Sequence, residues 1–239
     1  MIRSFARAVA GLAVTLLAVS AHAASLRVAP VMLDIKAPTA TSSIRVWNDS
    51  KRPLNVQIRI FRWTQRDGQD VYEAADTVAV SPPMTTLRPG GENLVRVVRT
   101  SKRQVQAEES YRLIVDELPD ARRRKDGTVA LVVRHSIPVF FTPAGADGAD
   151  ASWTVERKKG GYVVTVRNDG ATRLRVSNLM LGNRGGPSAR RDGLVGYVLG
   201  NSTVRWFVPG GGRSAGSALK VSAESESGRF DATARLRGG

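Results

Sequence analysis

Residues 111–119 and 129–143 of the chain read YRLIVDELP and VALVVRHSIPVFFTP, and a short basic loop separates them. Apolar residues recur at every second position over Tyr111–Val115 and Val129–Val133, as they do along β-strands that are buried on one face. The two runs therefore predict a β-hairpin whose unusually long second strand ends at Pro143. Such a strand commonly has a partner beyond its own sheet, so the nature of that partner bears on function.

The residues before this hairpin also have the pattern of short β-strands. Similar runs occur at Leu26–Val28, Ser43–Trp47, Val56–Ile60, Leu94–Val98, Tyr111–Val115 and Val129–Val133. Turn-forming residues separate them at Asn48–Ser50, Asp67–Gly68 and Arg88–Gly91. Only Lys102–Glu109 suggests a turn or two of helix. Short strands with turns at this spacing predict an antiparallel sandwich.

A second set of strands follows residues 144–150, which are small, Gly-rich and polar and predict a linker. These strands are predicted at Trp153–Val155, Tyr162–Val166, Leu174–Val176, Gly196–Leu199, Val204–Val208, Leu219–Val221 and Phe230–Leu236. A turn is predicted at Asn168–Gly170. The segment Gly182–Gly193 is rich in glycine and arginine and is predicted to be a loop. We therefore expect an all-β chain with domains at 24–143 and 151–239.

Residues 1–23 have the pattern of a secretory signal peptide. Arg3 and Arg7 precede the apolar run Ala8–Val19, and Ala21-His22-Ala23 forms a small-residue cleavage site. The apolar run is shorter than the roughly 20 residues that span a bilayer, which makes a transmembrane anchor the weaker alternative. We expect an exported chain that begins at Ala24 and has no integral membrane segment.

The composition narrows the class of partner. The chain carries 36 basic against 21 acidic residues, a net charge of +15, and it has no cysteine. In an exported protein this charge favours acidic proteins, an anionic membrane surface or simple solubility, and no nucleic acid partner is expected. Without cysteine, thiolate catalysis and cysteine-based zinc sites are excluded.

The sequence predicts no enzyme, metal site or cofactor. After residue 23 the only histidine is His135, inside the predicted long strand, and it has no histidine partners for a metal or a catalytic triad. The neighbouring carboxylates Asp116 and Glu117 would point to opposite faces of a strand. A secreted hydrolase is therefore a weak alternative.

Several motifs now resemble those of a known family. Their order and spacing are similar to those of periplasmic pilus-assembly chaperones of the chaperone–usher pathway. The motifs are Ser81-Pro82-Pro83, Leu87–Gly90, Val95–Val97, Tyr111–Leu113, Glu117–Pro119 and the strand end Ile137–Pro143. The resemblance spans residues 26–143 and is thin beyond them. It implies two immunoglobulin-like β-sandwich domains in an L-shaped arrangement, with residues 24–143 gripping the subunit.

In this family a chaperone strand fills the groove of an incomplete pilus subunit, which is then delivered to an outer-membrane usher. The resemblance implies that Val129, Leu131 and Val133 are the donated side chains, with no cofactor involved. Self-association of the free chaperone through this strand is possible. The alternative is that these three residues pack the chain's own core.

One departure from the conventional family pattern concerns the basic pair that anchors the subunit's terminal carboxylate. Pro30 and Pro138 stand at those two positions. The chain therefore resembles the archaic branch, which includes chaperones of spore-coat-U-type pili. Arg112 is the first anchor candidate, because a guanidinium can bind a carboxylate through two hydrogen bonds. Arg134 and Arg96 are the second candidates.

Two questions stay open at this point. The basic residues Arg122–Lys125 could steer acidic subunits or contact the usher, or they could simply keep an exposed edge soluble. The chain could also be a structural or adhesive two-domain component of a surface fibre. The absence of cysteine and the immediate start of a strand after the signal peptide favour the chaperone.

Overall fold

The computed structural model describes residues 25–119, 132–183, 186–211 and 218–237. These residues form β-strands and no helix, which confirms the predicted all-β class. The N-terminal half contains β1 (Leu26–Ala29), β2 (Leu33–Lys36), β3 (Thr41–Asn48), β4 (Leu54–Arg66), β5 (Gln69–Ala74), β6 (Val78–Ser81), β7 (Met84–Leu87), β8 (Glu92–Arg99), β9 (Glu109–Leu118) and β10 (Arg134–Thr142). The C-terminal half contains β11 (Ala151–Lys158), β12 (Gly161–Asn168), β13 (Leu174–Asn183), β14 (Gly186–Val198), β15 (Ser202–Pro209), β16 (Ala218–Ser225) and β17 (Gly228–Arg237). Across the described ranges, no helix could cross a membrane.

The N-terminal half is a sandwich of two sheets. Sheet A has the order β1-β3-β8-β6, and sheet B has the order β2-β10-β9-β4-β5, with β7 also paired to β4. On β3, the fully buried Ile44 and Val46 flank the exposed Arg45. On β4, Val56 and Ile58 are buried in the same alternating way. Because strand side chains alternate between faces, these residues form one core between the two sheets.

The C-terminal half forms a single seven-stranded sheet in the order β14-β13-β16-β17-β11-β12-β15. Its two end strands approach each other through a bridge between Ala189 and Gly210. A β-carbon at Gly210 would lie 2.4 Å from the carbonyl oxygen of Ser188, so glycine permits this close approach. The sheet thereby folds back on itself and encloses a second core that includes Trp153 and Tyr162.

Each half contains a buried asparagine that hydrogen-bonds to backbone carbonyl groups of neighbouring segments. Asn48 and Asn168 are both 0% exposed. The Asn48 amide donates to the carbonyl oxygens of Arg52, Leu87 and Arg88. The Asn168 amide donates to those of Thr172, Val198 and Leu199. Both side chains therefore satisfy buried backbone acceptors at the predicted turns that begin with Asn-Asp.

Two local predictions are wrong. Residues 102–108 contain no helix, since Arg99 donates to the carbonyl oxygens of Ser101 and Arg103 and so satisfies groups that a helix would have used. The predicted loop Gly182–Gly193 lies largely in β13 and β14, apart from residues 184 and 185, which are outside the described ranges. Register shifts between these two strands accommodate the irregular sequence.

The predicted hairpin is present as far as the structure describes it. Strands β9 and β10 pair antiparallel from Arg134 opposite Asp116 to Phe141 opposite Glu109. The described part of the second strand begins at Arg134, whereas Val129 and Leu131 lie outside the described residues.

Candidate functional site

The two halves of the chain meet in an aromatic cluster, which we call the junction cluster. It consists of Trp63 on β4, Phe140 on β10, and Tyr197 and Leu199 from the C-terminal half, with the half-buried Met32 packed against them. The ring of Tyr197 lies 5.6 Å from that of Trp63 and 5.7 Å from that of Phe140. Burial of these rings joins the outer face of sheet B to the C-terminal half.

Hydrogen bonds from Gln65 reinforce this junction. Its amide nitrogen donates to the carbonyl oxygen of Tyr197 at 2.8 Å, and its amide oxygen accepts from the backbone N–H of Leu199 at 2.9 Å. One side chain of the N-terminal half thus completes the backbone hydrogen bonding of a strand end in the C-terminal half.

Strand β9 carries the first anchor candidate to this junction. Tyr111, Leu113 and Val115 are fully buried in the sandwich core, so Arg112 and Ile114 project from the outer face of sheet B. In the register, Arg112 lies between Phe61 on β4 and Pro138 on β10. Arg112 therefore emerges beside the junction cluster and next to Pro138, which stands at one position of the conventional basic pair.

The outer edge of β10 is paired with another described strand along only part of its length. From Val139 to Thr142 the strand pairs with β2, while Arg134–Pro138 pairs only with β9 among the described strands. The carbonyl oxygen of Val133 accepts from Glu117, and that of Thr142 accepts from Ala37. Since backbone groups alternate in direction along a strand, Arg134 and Ser136 direct theirs away from β9.

The alternating direction of the backbone groups also explains why a proline is tolerated at position 138 of β10. Its nitrogen lies on the outward side of β10, where a proline removes no hydrogen bond to β9. Toward the described strands, the first part of β10 thus presents an edge without a partner strand, and this edge leads to Arg112.

Arg112 is held by aromatic rings. Its guanidinium lies 3.8 Å from the centre of the Trp63 ring and 5.7 Å from that of Tyr197. Among the described residues it forms no salt bridge, and its buried Nε has no hydrogen-bond partner. Burial raises the pKa of the nearby Tyr72 phenol, and the Arg112 cation partly offsets that rise. The positive charge of Arg112 is therefore not neutralised within the described chain.

Arg173 approaches the same cluster from the C-terminal half, but carboxylates surround it. Its guanidinium lies 3.8 Å over the ring of Phe140. It forms ion pairs with Glu108 at 2.6 Å, Asp34 at 3.2 Å and Glu226 at 3.2 Å. Burial alone would lower the pKa of Arg173, yet these carboxylates outweigh burial and raise it. Arg173 therefore links both halves as a permanently charged and fully compensated group.

Arg134, a second anchor candidate, is already paired. It donates to Asp116 at 2.5 Å, and Arg59 donates to the same carboxylate at 2.6 Å. Burial would raise the pKa of Asp116, but the hydrogen bonds from Arg134 and Arg59 outweigh it and lower the pKa below its ordinary value. An incoming carboxylate would have to compete with Asp116 for Arg134.

Arg96, the other second candidate, lies on sheet A between Ser43 and Ser81. Its neighbours Val95 and Val97 are buried, so its exposed side chain projects from the outer face of that sheet. It therefore belongs to a different sheet from Arg112 and Arg134.

Of the three proposed donor residues, the structure describes only Val133. It is half-buried and packs against the core of its own half. The adjacent Val132 is 50% exposed. The donor role of Val129, Leu131 and Val133 stays a prediction, and the basic residues 122–125 also lie outside the described residues.

His135 has a local structural contact. Its Nε2 lies 2.9 Å from the carbonyl oxygen of Leu26, so it joins β10 of sheet B to β1 of sheet A. Within the described ranges, no group of three or more His, Cys, Asp or Glu residues is placed to hold a metal ion.

Sequence reasoning missed Tyr197, Arg173 and Glu108 as members of this site. Tyr197 was predicted only as part of a strand. Arg173 and Glu108 lie just before β13 and β9, in segments without a clear apolar–polar pattern. No periodicity could have brought these residues together, because their contacts depend on how the two halves pack.

Comparison with known proteins identifies the family. Residues 25–147 match the family described as pili and flagellar-assembly chaperone, PapD N-terminal domain. This match covers more than half of the chain and contains the β9–β10 hairpin and Arg112. A comparison with curated protein sequences gave no match.

Solved structures agree with this result. The chain is similar to the chaperone in the CsuC–CsuE chaperone–tip adhesion subunit pre-assembly complex from archaic Csu pili of Acinetobacter baumannii, with 25% identity, a TM-score of 0.69, and coverage of 90% of this chain and 100% of that one. It also has the fold of the Escherichia coli chaperone DraB, with 19% identity, a TM-score of 0.59, and coverage of 89% and 97%.

A third structure with this fold is the complex of Salmonella enterica SafA pilin with the SafB chaperone, with 16% identity, a TM-score of 0.60, and coverage of 88% and 96%. These matches extend over both halves and support two immunoglobulin-like domains. The first of the three comes from an archaic chaperone–usher system, the branch that the chain resembles at Pro30 and Pro138. The chain belongs to the PapD-like family of non-enzymatic, periplasmic chaperones that assemble pili by the chaperone–usher pathway.

Proposed function

We propose that this chaperone folds and caps pilus subunits by donor-strand complementation and delivers them to an outer-membrane usher. The outer edge of β10 at Arg134–Pro138 carries the proposal, because no described strand pairs with it and its backbone groups can bind an incoming strand. Chaperone–pilin complementation is an established instance of such β-augmentation, in which main-chain hydrogen bonds give affinity and alternate side chains fill pockets. The complexes of CsuE and SafA with similar chaperones support a subunit as the partner.

The proposal assigns roles along the chain. Residues 1–23 are a signal peptide that directs export to the periplasm, residues 24–143 form the subunit-binding domain, residues 144–150 form the linker, and residues 151–239 form the second domain. Val129, Leu131 and Val133 supply the donated side chains. Since Val133 packs on its own core, subunit binding must exchange this contact for one in the subunit.

Arg112 is the proposed anchor for the subunit's terminal carboxylate. Its support is the uncompensated guanidinium at the junction, since the other candidate on sheet B, Arg134, is paired with Asp116. A planar guanidinium can hold a carboxylate through two charge-assisted hydrogen bonds. The anchor would fix the end of the subunit strand beside β10 and so set its register along the outer edge.

Co-expression tests the donor strand. Wild-type chaperone is expressed in the periplasm with each pilin-like subunit of the same genome, and 1:1 complexes are recovered by size-exclusion chromatography. Leu131→Arg should abolish the complex, because the charge would have to enter an apolar pocket. Val132→Arg, one residue away and on the opposite strand face, is the matched control and should preserve it. Normal recovery with Leu131→Arg would contradict strand donation.

A further inference from the structure

We propose that Tyr197 is a positioning residue for Arg112, so that both halves of the chaperone together orient the guanidinium that receives the subunit carboxylate. This inference rests on the proposed anchor role of Arg112. It adds that Tyr197, a residue of the C-terminal half, helps to orient Arg112. Subunit affinity should therefore depend on how the two halves pack.

The first support is the position of Arg112 relative to two rings. Its guanidinium lies within cation–π distance of Trp63, at 3.8 Å, and of Tyr197, at 5.7 Å. The two rings meet at an interplanar angle of 84°. Arg112 is thus in reach of one aromatic ring from each half.

The second support is that the N-terminal half determines where the Tyr197 ring lies. Gln65 binds the carbonyl oxygen of Tyr197 at 2.8 Å, and the phenol donates to the sulfur of Met32 at 3.8 Å. The ring also packs against Phe140 and is 6% exposed. Any shift between the halves would therefore move Tyr197 relative to Arg112.

The third support is the absence of a carboxylate that could position Arg112 instead. In the described part of the chain Arg112 has no salt bridge, unlike Arg134 or Arg173. Aromatic rings can fix a cation in place while leaving its charge available, whereas a neighbouring carboxylate would compete with the ligand. Orienting the guanidinium in advance lowers the entropy that binding must overcome.

The test uses a pilin-like subunit that forms a 1:1 complex with the wild-type chaperone. It is prepared with its native C-terminus and with a Gly-Ser extension that displaces the terminal carboxylate. Tyr197→Leu should weaken binding of the native subunit about tenfold and leave binding of the extended subunit unchanged. An equal loss with both subunits would show a general structural effect and overturn the inference.

Two further variants control for packing. Tyr197→Phe keeps the ring and should retain the wild-type affinity for the native subunit, so a loss as large as that of Tyr197→Leu would also overturn the inference. Phe230→Leu removes another ring of the C-terminal half, 6.0 Å from Trp153, and should not affect either subunit.

A subunit-free measurement separates this inference from the anchor proposal. In the nuclear magnetic resonance spectrum, the Nε–H signal of Arg112 should be displaced by the ring currents of its neighbours. Tyr197→Leu should shift this signal, and Phe230→Leu should not. An unchanged signal overturns positioning by Tyr197. If instead the signal shifts while Arg112→Ala leaves subunit affinity unchanged, positioning is correct and the anchor role is wrong.

Discussion

Arg112 and Arg173 approach the same aromatic cluster from different halves of the molecule, yet their electrostatic surroundings are opposite. Each guanidinium lies 3.8 Å from a ring centre, Arg112 over Trp63 and Arg173 over Phe140. Arg173 is 5% exposed and contacts three carboxylates. Arg112 has no salt bridge among the described residues.

This difference separates a structural arginine from an arginine available for binding. A buried cation needs compensating charge, and Arg173 receives it from Asp34 and Glu108 of one half and Glu226 of the other. Arg112 is only partly buried, so water and aromatic rings suffice for it. We therefore expect Arg173 to govern stability and Arg112 to govern subunit affinity.

The largest expected effect is on stability. Arg173→Met should lower the free energy of unfolding by roughly 3–5 kcal/mol, because it leaves the buried Glu108 carboxylate without its partner. Denaturant unfolding measures this loss. Arg190→Met is the matched control, since Arg190 is paired with Asp192 on the surface and its removal should cost no measurable stability. Equal stability of the two variants would contradict the structural role of Arg173.

The next effect is on binding. Arg112→Ala should weaken subunit binding about tenfold or more through loss of charge-assisted hydrogen bonds. Its unfolding free energy should change by no more than about 1 kcal/mol, the scale of a partly exposed cation–π contact. Titration with a native subunit and thermal unfolding of the same samples measure both quantities. If Arg134→Ala weakens binding and Arg112→Ala does not, the anchor is Arg134.

A smaller effect should appear in the pH dependence of stability. The pKa of Asp116 is lowered in the folded state, so its stabilising contribution is present above the unfolded pKa and is lost as the pH falls through the folded value. Below about pH 4, the wild-type unfolding free energy should therefore fall more steeply than that of Asp116→Asn. Identical slopes in acid would mean that the contacts with Arg59 and Arg134 contribute nothing to stability.

The smallest effect is expected for Arg96. Arg96→Ala should leave subunit affinity within about twofold of wild type, because Arg96 lies on the outer face of sheet A. The same titration that tests Arg112 measures it. A loss comparable to that of Arg112→Ala would place a subunit contact on the opposite sheet.

The strands that sequence reasoning identified best are those with strict alternation. Val56–Ile60 and Tyr111–Val115 lie in β4 and β9, where one face is buried and the other is not. The short strands β2 and β5–β7 were not predicted, because four to six residues carry little pattern; among the described strands of this length, only β1 was identified. The error at Gly182–Gly193 came from reading glycine content as a loop, whereas pairing of β13 with β14 tolerates those glycines at bulges.

For the site, the motif Tyr111-Arg112-Leu113 led to Arg112, and Pro138 excluded the conventional anchor position. The pairing of Arg134 with Asp116 was not predicted. It depends on the cross-strand register of β9 and β10, which the alternation alone does not specify.

The sequence by itself determined the all-β class, the hairpin, the turns at Asn48 and Asn168, and the family, because these depend on local periodicity, turn chemistry and motif order. Only the tertiary structure decided which arginine is paired with carboxylates and which is available to bind a ligand. Asp34, Glu108 and Glu226 are far apart in the chain, and packing of the two halves alone brings them to Arg173. The same packing places Tyr197 beside Arg112. Among the described residues, no carboxylate forms a salt bridge with Arg112.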